Sequence, residues 1–457
     1  MTDLQETKPL MHLLSATFDF LQSATPEQLE HNPFLQLRKQ GLDTLARTGL
    51  PTPRDEEWKY LNLAPYIRHP YQLPAGKESL SHLPQILPIT TIPVVFFNGL
   101  FQPHLLSPAH GVTVTSLAQL LDKGSHDGTV LGEQEHSIGQ LLSPEDDPFV
   151  ALNAALLHQG ALLHITQNPS QPIYLASITQ SDQPLFVNLR FAIRLSTGTA
   201  ATIILDLRTL SKTAPTFHNI VSEIWLETES ALTLIFLQND TAQNYGVLTT
   251  RIAQTARSRS RLYTVTAGNG MVRNTTSVQL NEPEAETVLY GLSVLRDTEV
   301  ADHHTAVEHL APNCQSSELY KSIVADQATN IFNGKIFVHP EAQQTNAYQS
   351  NHNILLSDDA RVYTKPQLEI FADDVRCTHG ATVGQLPQEA VFYLRTRGLP
   401  ETVADVLLLH AFAAEVYEQL PLEPLRAWID QQLSHRLFDI VDLAADRKLV
   451  DLQFATS

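Results

Sequence analysis

Between about residue 161 and residue 385 the chain never settles into a helical period. Apolar and β-branched residues alternate with polar ones in short runs, and Gly, Asn, Asp and Ser interrupt them, which is the pattern of half-buried strands and their turns. Runs begin near Leu162, Thr202, Leu232, Leu262 and Thr287 and continue over residues 328–338, 348–356 and 362–371. They recur loosely and carry no strict repeat motif. So long a strand-forming block predicts a β-solenoid, in which each coil buries its inward positions against its neighbours; the pattern alone leaves a sandwich or a propeller open.

Both ends read as helical. Thr25-Pro26-Glu27-Gln28 places an N-cap Thr, an N1 Pro and a capping-box Gln at the spacing of a helix start. Asn32-Pro33 restarts the helix, Phe34, Leu37, Leu42 and Leu45 supply an apolar stripe, and Gly49 with Pro51-Thr52-Pro53 ends it. The run Arg54-Asp55-Glu56-Glu57-Trp58-Lys59-Tyr60 then reads as a surface loop anchored by one aromatic. Residues 61–147 mix short apolar runs with Pro and read as α/β. Asp147-Pro148 opens another helix, with Phe149, Leu152 and Leu156, which Gly160 is expected to terminate before a strand at 161–165. After Gly384 the helical period returns, with Val403, Val406, Leu407, His410 and Ala414 on one stripe and Leu409, Phe412 and Val416 broadening it. Pro424 opens a last helix striped by Leu425, Trp428, Ile429, Leu433 and Leu437. The expected organisation is an N-terminal helical and mixed α/β domain over 1–147, a β core over 148–385 and a C-terminal helical domain over 386–457.

With 30 Lys and Arg against 49 Asp and Glu, the 457 residues carry a formal charge of −19, which disfavours nucleic acid or an anionic membrane surface as the main partner. No window approaches the roughly 18 apolar residues of a membrane span, and the first residues carry early acids, so a cytoplasmic location is expected. Two cysteines, Cys314 and Cys377, fit a reducing compartment. The chain has no G-x-x-x-x-G-K-[ST], G-x-G-x-x-G, C-x-x-C, H-E-x-x-H or G-x-S-x-G motif. Nucleotide hydrolysis, Rossmann redox work, structural zinc and hydrolase chemistry therefore lack their usual signals.

The densest candidate is the segment 366–384. If it is extended, Asp373, Val375, Cys377 and His379 share one face, and a thiolate beside an imidazole suits iron, an iron–sulfur cluster or zinc. Two ligands do not close a metal site, and a Cys-x-His pair is commonly a buried Cys beside a hydrogen-bonded His. In the run Asp302-His303-His304-Thr305-Ala306-Val307-Glu308-His309, His303 and His304 point to opposite faces of a strand. Read as strand, Asp373 and Asp374 also oppose each other, which argues against paired acid/base glycosidic chemistry.

Many of these short segments, taken in order, resemble the SufB/SufD family of the SUF iron–sulfur cluster assembly machinery. The resemblance is carried by residues 331–338 (IFNGKIFV), Gln344-Thr345, Gln349, residues 353–357 (NILLS), 364–370 (TKPQLEI) and 377–384 (CTHGATVG), followed by 392–398 (FYLRTRG) and Ala411-Phe412. It spans about residues 300 to 420, with Glu56-Glu57-Trp58-Lys59-Tyr60 and residues 149–153 as earlier anchors. The chain resembles the SufD branch, since its N-terminal half has no Cys and Gly380 stands where SufB members carry a Glu after the Cys-x-His.

That resemblance implies a mainly β fold with α ends, a right-handed parallel β-helix core flanked by N-terminal and C-terminal helical domains. It implies a non-catalytic scaffold subunit working with one SufB-like paralogue and two copies of SufC, an ABC-type ATPase that would supply ATP hydrolysis. His379 matches a histidine facing a partner cysteine at the subunit interface, where iron is acquired and a cluster forms transiently, shared with SufB; Cys377 is its neighbour in the motif. No cofactor is expected to be tightly bound to the isolated chain, which could form a homodimer. Arg397, Gly398, Ala411, Phe412 and Glu415 match the region that docks the ATPase. The alternatives are a SufB-like scaffold acting without a separate SufD, and a stand-alone metal-binding β-helix protein.

Overall fold

The structure is a computed structural model that describes residues 10–23, 32–74, 76, 78–122, 138–210, 214–240, 243–268 and 270–441. The helix start expected at Thr25–Gln28 lies outside the described residues. The one expected at Asn32-Pro33 is present: the helix Pro33–Thr48 has Asn32 as its N-cap, whose Oδ1 accepts from the N–H groups of Phe34 and Leu35 at 3.0 and 3.2 Å, and Gly49 closes it. Asp147 caps the helix Pro148–Ala155 in the same way.

Two sheets, of ten and nine strands, form the body. From Leu185–Leu195 onward successive strands alternate between the sheets, and each pairs in parallel with the strand two before it, so the chain winds as a solenoid with two strands per turn. Among the described residues antiparallel strand pairs occur only at the start, where Leu100–Phe101 pairs with Ile92–Phe97 and Val112–Ser116 with Gln159–Ile165. The parallel β-solenoid with helical ends matches the expected fold class.

The turns explain why the sequence shows no repeat motif. Gly198, Glu229, Arg257, Glu284, Asn313 and Gln344 all have positive φ and occupy equivalent corners, roughly one per thirty residues. A glycine would be the default there. Five of the six are instead large polar residues. Each donates its N–H to a carbonyl of the next coil's corner, Glu229 to Ala256 at 3.0 Å and Arg257 to Pro283 at 3.1 Å, so stacked hydrogen bonds offset the left-handed backbone.

Sequence periodicity found about one strand per turn and missed others. Leu185–Leu195 and Thr216–Leu226 are buried along nearly their whole length, so no polar face alternates along them. Gly160 does not terminate a helix. It lies inside the strand Gln159–Ile165 at φ 150, and a Cβ there would sit 1.8 Å from the Arg190 carbonyl oxygen, so this glycine permits close strand contact. The pair Asp373-Asp374 likewise lies in a bend, since the last strand begins at Val375.

An apolar cluster drawn from both sheets fills the solenoid, including Val94, Leu175, Leu205, Ile220, Ile252 and Leu280. The N-terminal elements cover the outer face of the nine-stranded sheet: Trp58, Tyr71 and Phe149 pack against Phe186, Phe217 and Met271. The C-terminal helices Glu401–Tyr417 and Glu423–Val441 cover the other sheet, with Val403, Val406, Leu409, Leu425, Ile429 and Leu433 on Ile204, Ile235, Tyr263 and Leu292. Both outer faces are thus closed by the chain's own ends. Among the described residues only the last coil is left open, where Arg361–Ile370, largely half-buried, and Val375–Gly384, largely exposed, are edge strands.

Candidate functional site at the open end of the solenoid

Cys377 and His379 lie on the last strand of the ten-stranded sheet, in register with Ala347 and Gln349 of the strand above. Alternation puts both on the inward side. The two differ in setting. Cys377 is half-buried beside Ile336, Val338 and Ala347, and burial raises its thiol, which disfavours the thiolate form. His379 is exposed, because no further coil covers it among the described residues. The surrounding end surface is apolar and exposed at Tyr348, Ile370, Phe371 and Val383. Asp373, expected on the same face, lies in the preceding bend.

Following His379 inward along its sheet shows an abrupt change of chemistry. Ile92, Ile173, Ile203, Leu234, Leu262 and Leu289 are successive rungs of one column, all in the interior cluster. The next three rungs are Glu318, Gln349 and His379. Glu318 is 2% and Gln349 1% exposed. Thr305 Oγ1 donates to Glu318 Oε2 at 2.6 Å and Gln349 Nε2 donates to the same oxygen at 3.3 Å. Burial pushes the Glu318 carboxyl up to about 7, and those two hydrogen bonds pull the other way. Sequence periodicity did not find Glu318; a lone polar residue at an inward strand position was its only signal.

The His-rich run does not converge. His303 points inward, with its ring nitrogens against Ser293 Oγ at 3.0 Å and Asn274 Nδ2 at 3.3 Å, and burial lowers it to about 4. His309 pairs with Ser316 Oγ at 2.8 Å. His304 faces outward and contacts Asp302 at 2.9 Å and Glu57 at 3.3 Å. Among the described residues no group of three or more His, Cys, Asp or Glu side chains is placed to hold a metal ion.

The Glu56–Trp58 turn is more than a loop anchored by an aromatic. Trp58 is buried under the Arg273 guanidinium, 3.8 Å above its ring, and Arg273 pairs with Asp302 at 2.5 Å and donates to the Glu57 carbonyl at 2.9 Å. Glu57 also pairs with Lys335 at 2.7 Å, and Glu56 with Lys365 at 2.7 Å. The hydrogen bond from His304, and then Lys335, hold the Glu57 carboxyl down to about 2 against burial. Glu56, Glu57, Asp302, His304 and Lys365 line a cleft of about 460 Å³ between the N-terminal segment and the solenoid, with Glu57 paired to His304 and Glu56 to Lys365.

At the C-terminal end Arg397 and Gly398 are exposed just after the helix Gln388–Thr396, and Gly398 has φ 92. Ala411 and Glu415 are exposed one turn apart, and Phe412 is partly covered. Lys321 ties this ridge to the sheet: it pairs with Glu415, donates to the Phe412 carbonyl at 3.1 Å and sits 4.4 Å above the Phe412 ring. The largest exposed apolar groups here are Phe392, 68% exposed, and Tyr393, 61% exposed, on a helix whose one buried residue is Val391. The site residues expected from sequence thus fall into two places, the open coil end and the outer ridge of the C-terminal helices.

Comparison with known proteins matches nearly the whole chain. A family model described as SUF system FeS cluster assembly, SufBD core domain, covers residues 177–412, and the SufBD protein N-terminal region covers 18–173. The chain is 33% identical over 427 residues, 89% of its length and 92% of the relative's, to an iron–sulfur cluster assembly SufBD family protein of Synechocystis sp.. It is 31% identical over 409 residues to the iron–sulfur cluster assembly protein SufD of Escherichia coli, covering 87% of this chain and 92% of that one. To SufD of Bacillus subtilis it is 25% identical over 442 residues, 90% of this chain and 96% of the other.

Proposed function

The chain belongs to the SufBD family of the SUF iron–sulfur cluster assembly system, and on that premise we propose that it is a non-catalytic scaffold subunit contributing His379 to an interface with a SufB-like paralogue. The observation that carries this reading is the open end of the solenoid. Among the described residues its two edge strands have no further strand beside them, its rim is apolar at Ile370, Phe371 and Val383, and His379 stands exposed within it. A neutral imidazole is a suitable ligand for iron in transit. Iron and the nascent cluster are then cargo, shared with the partner's ligands. Cys377, whose thiol burial raises, stands as a weaker contributor.

The C-terminal helices are the proposed dock for an ABC-type ATPase of the SufC kind, through Arg397, Gly398, Ala411, Phe412 and Glu415 together with the exposed pair Phe392 and Tyr393. ATP-driven closure of two ATPase subunits would shift the population of coil-end arrangements by pulling on helices already tied to the sheet through Lys321. The expected compartment is the cytoplasm. No helix among the described residues is long and apolar enough to cross a membrane.

Anaerobic co-expression with a SufB-like and a SufC-like protein, followed by size-exclusion chromatography with mass detection, tests the assembly. The full complex is expected to co-elute, and elution of the chain alone as a metal-bound species would overturn the proposal. In the complex, His379→Ala is expected to abolish cluster formation while leaving co-elution unchanged. Cluster formation at the wild-type rate would remove His379 from the site.

A further inference from the structure

Packing alone gives no reason for an interior column that is aliphatic for six rungs to end in an acid, an amide and an imidazole. Glu318 and Gln349 are buried in apolar company, and each keeps one oxygen, Glu318 Oε1 and Gln349 Oε1, buried without a hydrogen-bond partner. Such groups are costly unless something meets them. The amide of Gln349 has a slot built for it: a Cβ at Gly334, on the facing sheet, would lie 2.2 Å from Gln349 Nε2. A carboxylate accepts and does not donate, so Glu318 selects which end of that amide turns towards it. Nε2 faces Glu318, and the unpartnered oxygen is left for the remaining neighbour in the column, His379.

We infer that Gln349, held by Glu318, is a positioning residue for His379: its amide oxygen accepts the hydrogen of the ring nitrogen that faces the coil interior and leaves the other nitrogen's lone pair directed out of the open end. This inference rests on the proposed role of His379 and adds how the ring is set for it. Histidine ligands are commonly fixed in this way, by a carbonyl or carboxylate acceptor on the nitrogen that does not bind the metal. Glu318 touches neither cargo nor His379, and it acts only through the amide.

The readout is the tautomer of the His379 ring, followed by ¹⁵N-resolved spectra of the ¹⁵N-histidine-labelled full chain in alkaline buffer; His379→Asn identifies its signals. The wild-type ring is expected to favour one tautomer. Gln349→Met and Glu318→Met are each expected to shift the ratio towards that of free imidazole by about fivefold, the bias that one ordinary hydrogen bond supports. Glu318→Gln keeps the size and polarity of the side chain but can also donate to the Gln349 oxygen, so it is expected to move the ratio in the same direction in a chain that still folds, which separates loss of positioning from loss of folding. A wild-type ratio equal to that of free imidazole, or one unmoved in folded Gln349→Met, overturns the inference. Because the readout involves no cluster, it stands apart from the His379→Ala assembly test: cluster formation unaffected by His379→Ala removes the proposed role and leaves the ring geometry decided on its own.

Discussion

Glu318 makes a stability prediction at the scale of a single side chain. Its carboxyl titrates near 4.5 when solvated and is pushed up to about 7 by burial in the fold, so the folded state holds the proton more tightly than the unfolded one. Its contribution is therefore fully present below pH 4.5 and is lost as pH rises through about 7. By pH 8 the buried charge costs about 3 kcal/mol, at 1.36 kcal/mol per pKa unit. Glu318→Gln removes the charge and keeps two hydrogen-bonding ends, so the variant is expected to be about 2 kcal/mol more stable than wild type at pH 8 and no more stable at pH 4. Chemical denaturation at the two pH values checks this, and equal stability at pH 8 would show that water or a cation already compensates the carboxylate. A residue kept at such a cost is one whose use lies outside stability, which agrees with its place two rungs above His379.

Among the elements, a steric constraint between two helices sits where Pro33–Thr48 and Pro148–Ala155 cross. A Cβ on Gly41 would lie 2.5 Å from the Ala151 carbonyl oxygen and 2.6 Å from the Ala155 nitrogen, so these helices meet backbone to backbone. Gly41→Ala relieves the helix penalty of glycine, about 1 kcal/mol, but forces the pair apart against a close-packed cluster, at a cost of roughly 1 to 3 kcal/mol. The expected outcome is a net loss of thermal stability, read by calorimetry; a rise in melting temperature would mean that the crossing relaxes freely. Both helices were legible from their caps, since an Asn or Asp before Pro is a local signal that needs no tertiary context. The strands were legible as a block but not one by one. Those buried on both faces lose their alternation, and corners stabilised by stacked backbone hydrogen bonds need no glycine to announce them. The Trp58 turn was singled out as unusual, but its role as a clamp could not be read, because Arg273, Asp302 and His304 reach it from strands more than two hundred residues away.

At the scale of the whole molecule, the asymmetry of the two sheet ends decides what the chain can join. At the first end the solenoid is closed by antiparallel pairing, and both outer faces are covered by the chain's own helices and N-terminal segment. At the last end two parallel edge strands of ten residues each stop without a cap among the described residues, and Phe371 and Val383 are 57% and 48% exposed. An uncapped parallel edge with an apolar rim is a template for another chain. His379 and Cys377 could be read from sequence as lying on one face of a strand; that this strand is the last one, and so leaves His379 uncovered, is a property of the complete winding. The same open end leads to an expectation for the chain in isolation. Without a paralogue it should pair end to end with a second copy across an isologous interface. Sedimentation equilibrium is expected to give a dimer for wild type and a monomer for Phe371→Lys/Val383→Lys, while Phe392→Lys, on the outer ridge, leaves the dimer intact. A wild-type monomer would mean that the coil end does not self-associate, and a dimer lost with Phe392→Lys and kept with the end substitutions would place the self-association surface on the C-terminal helices.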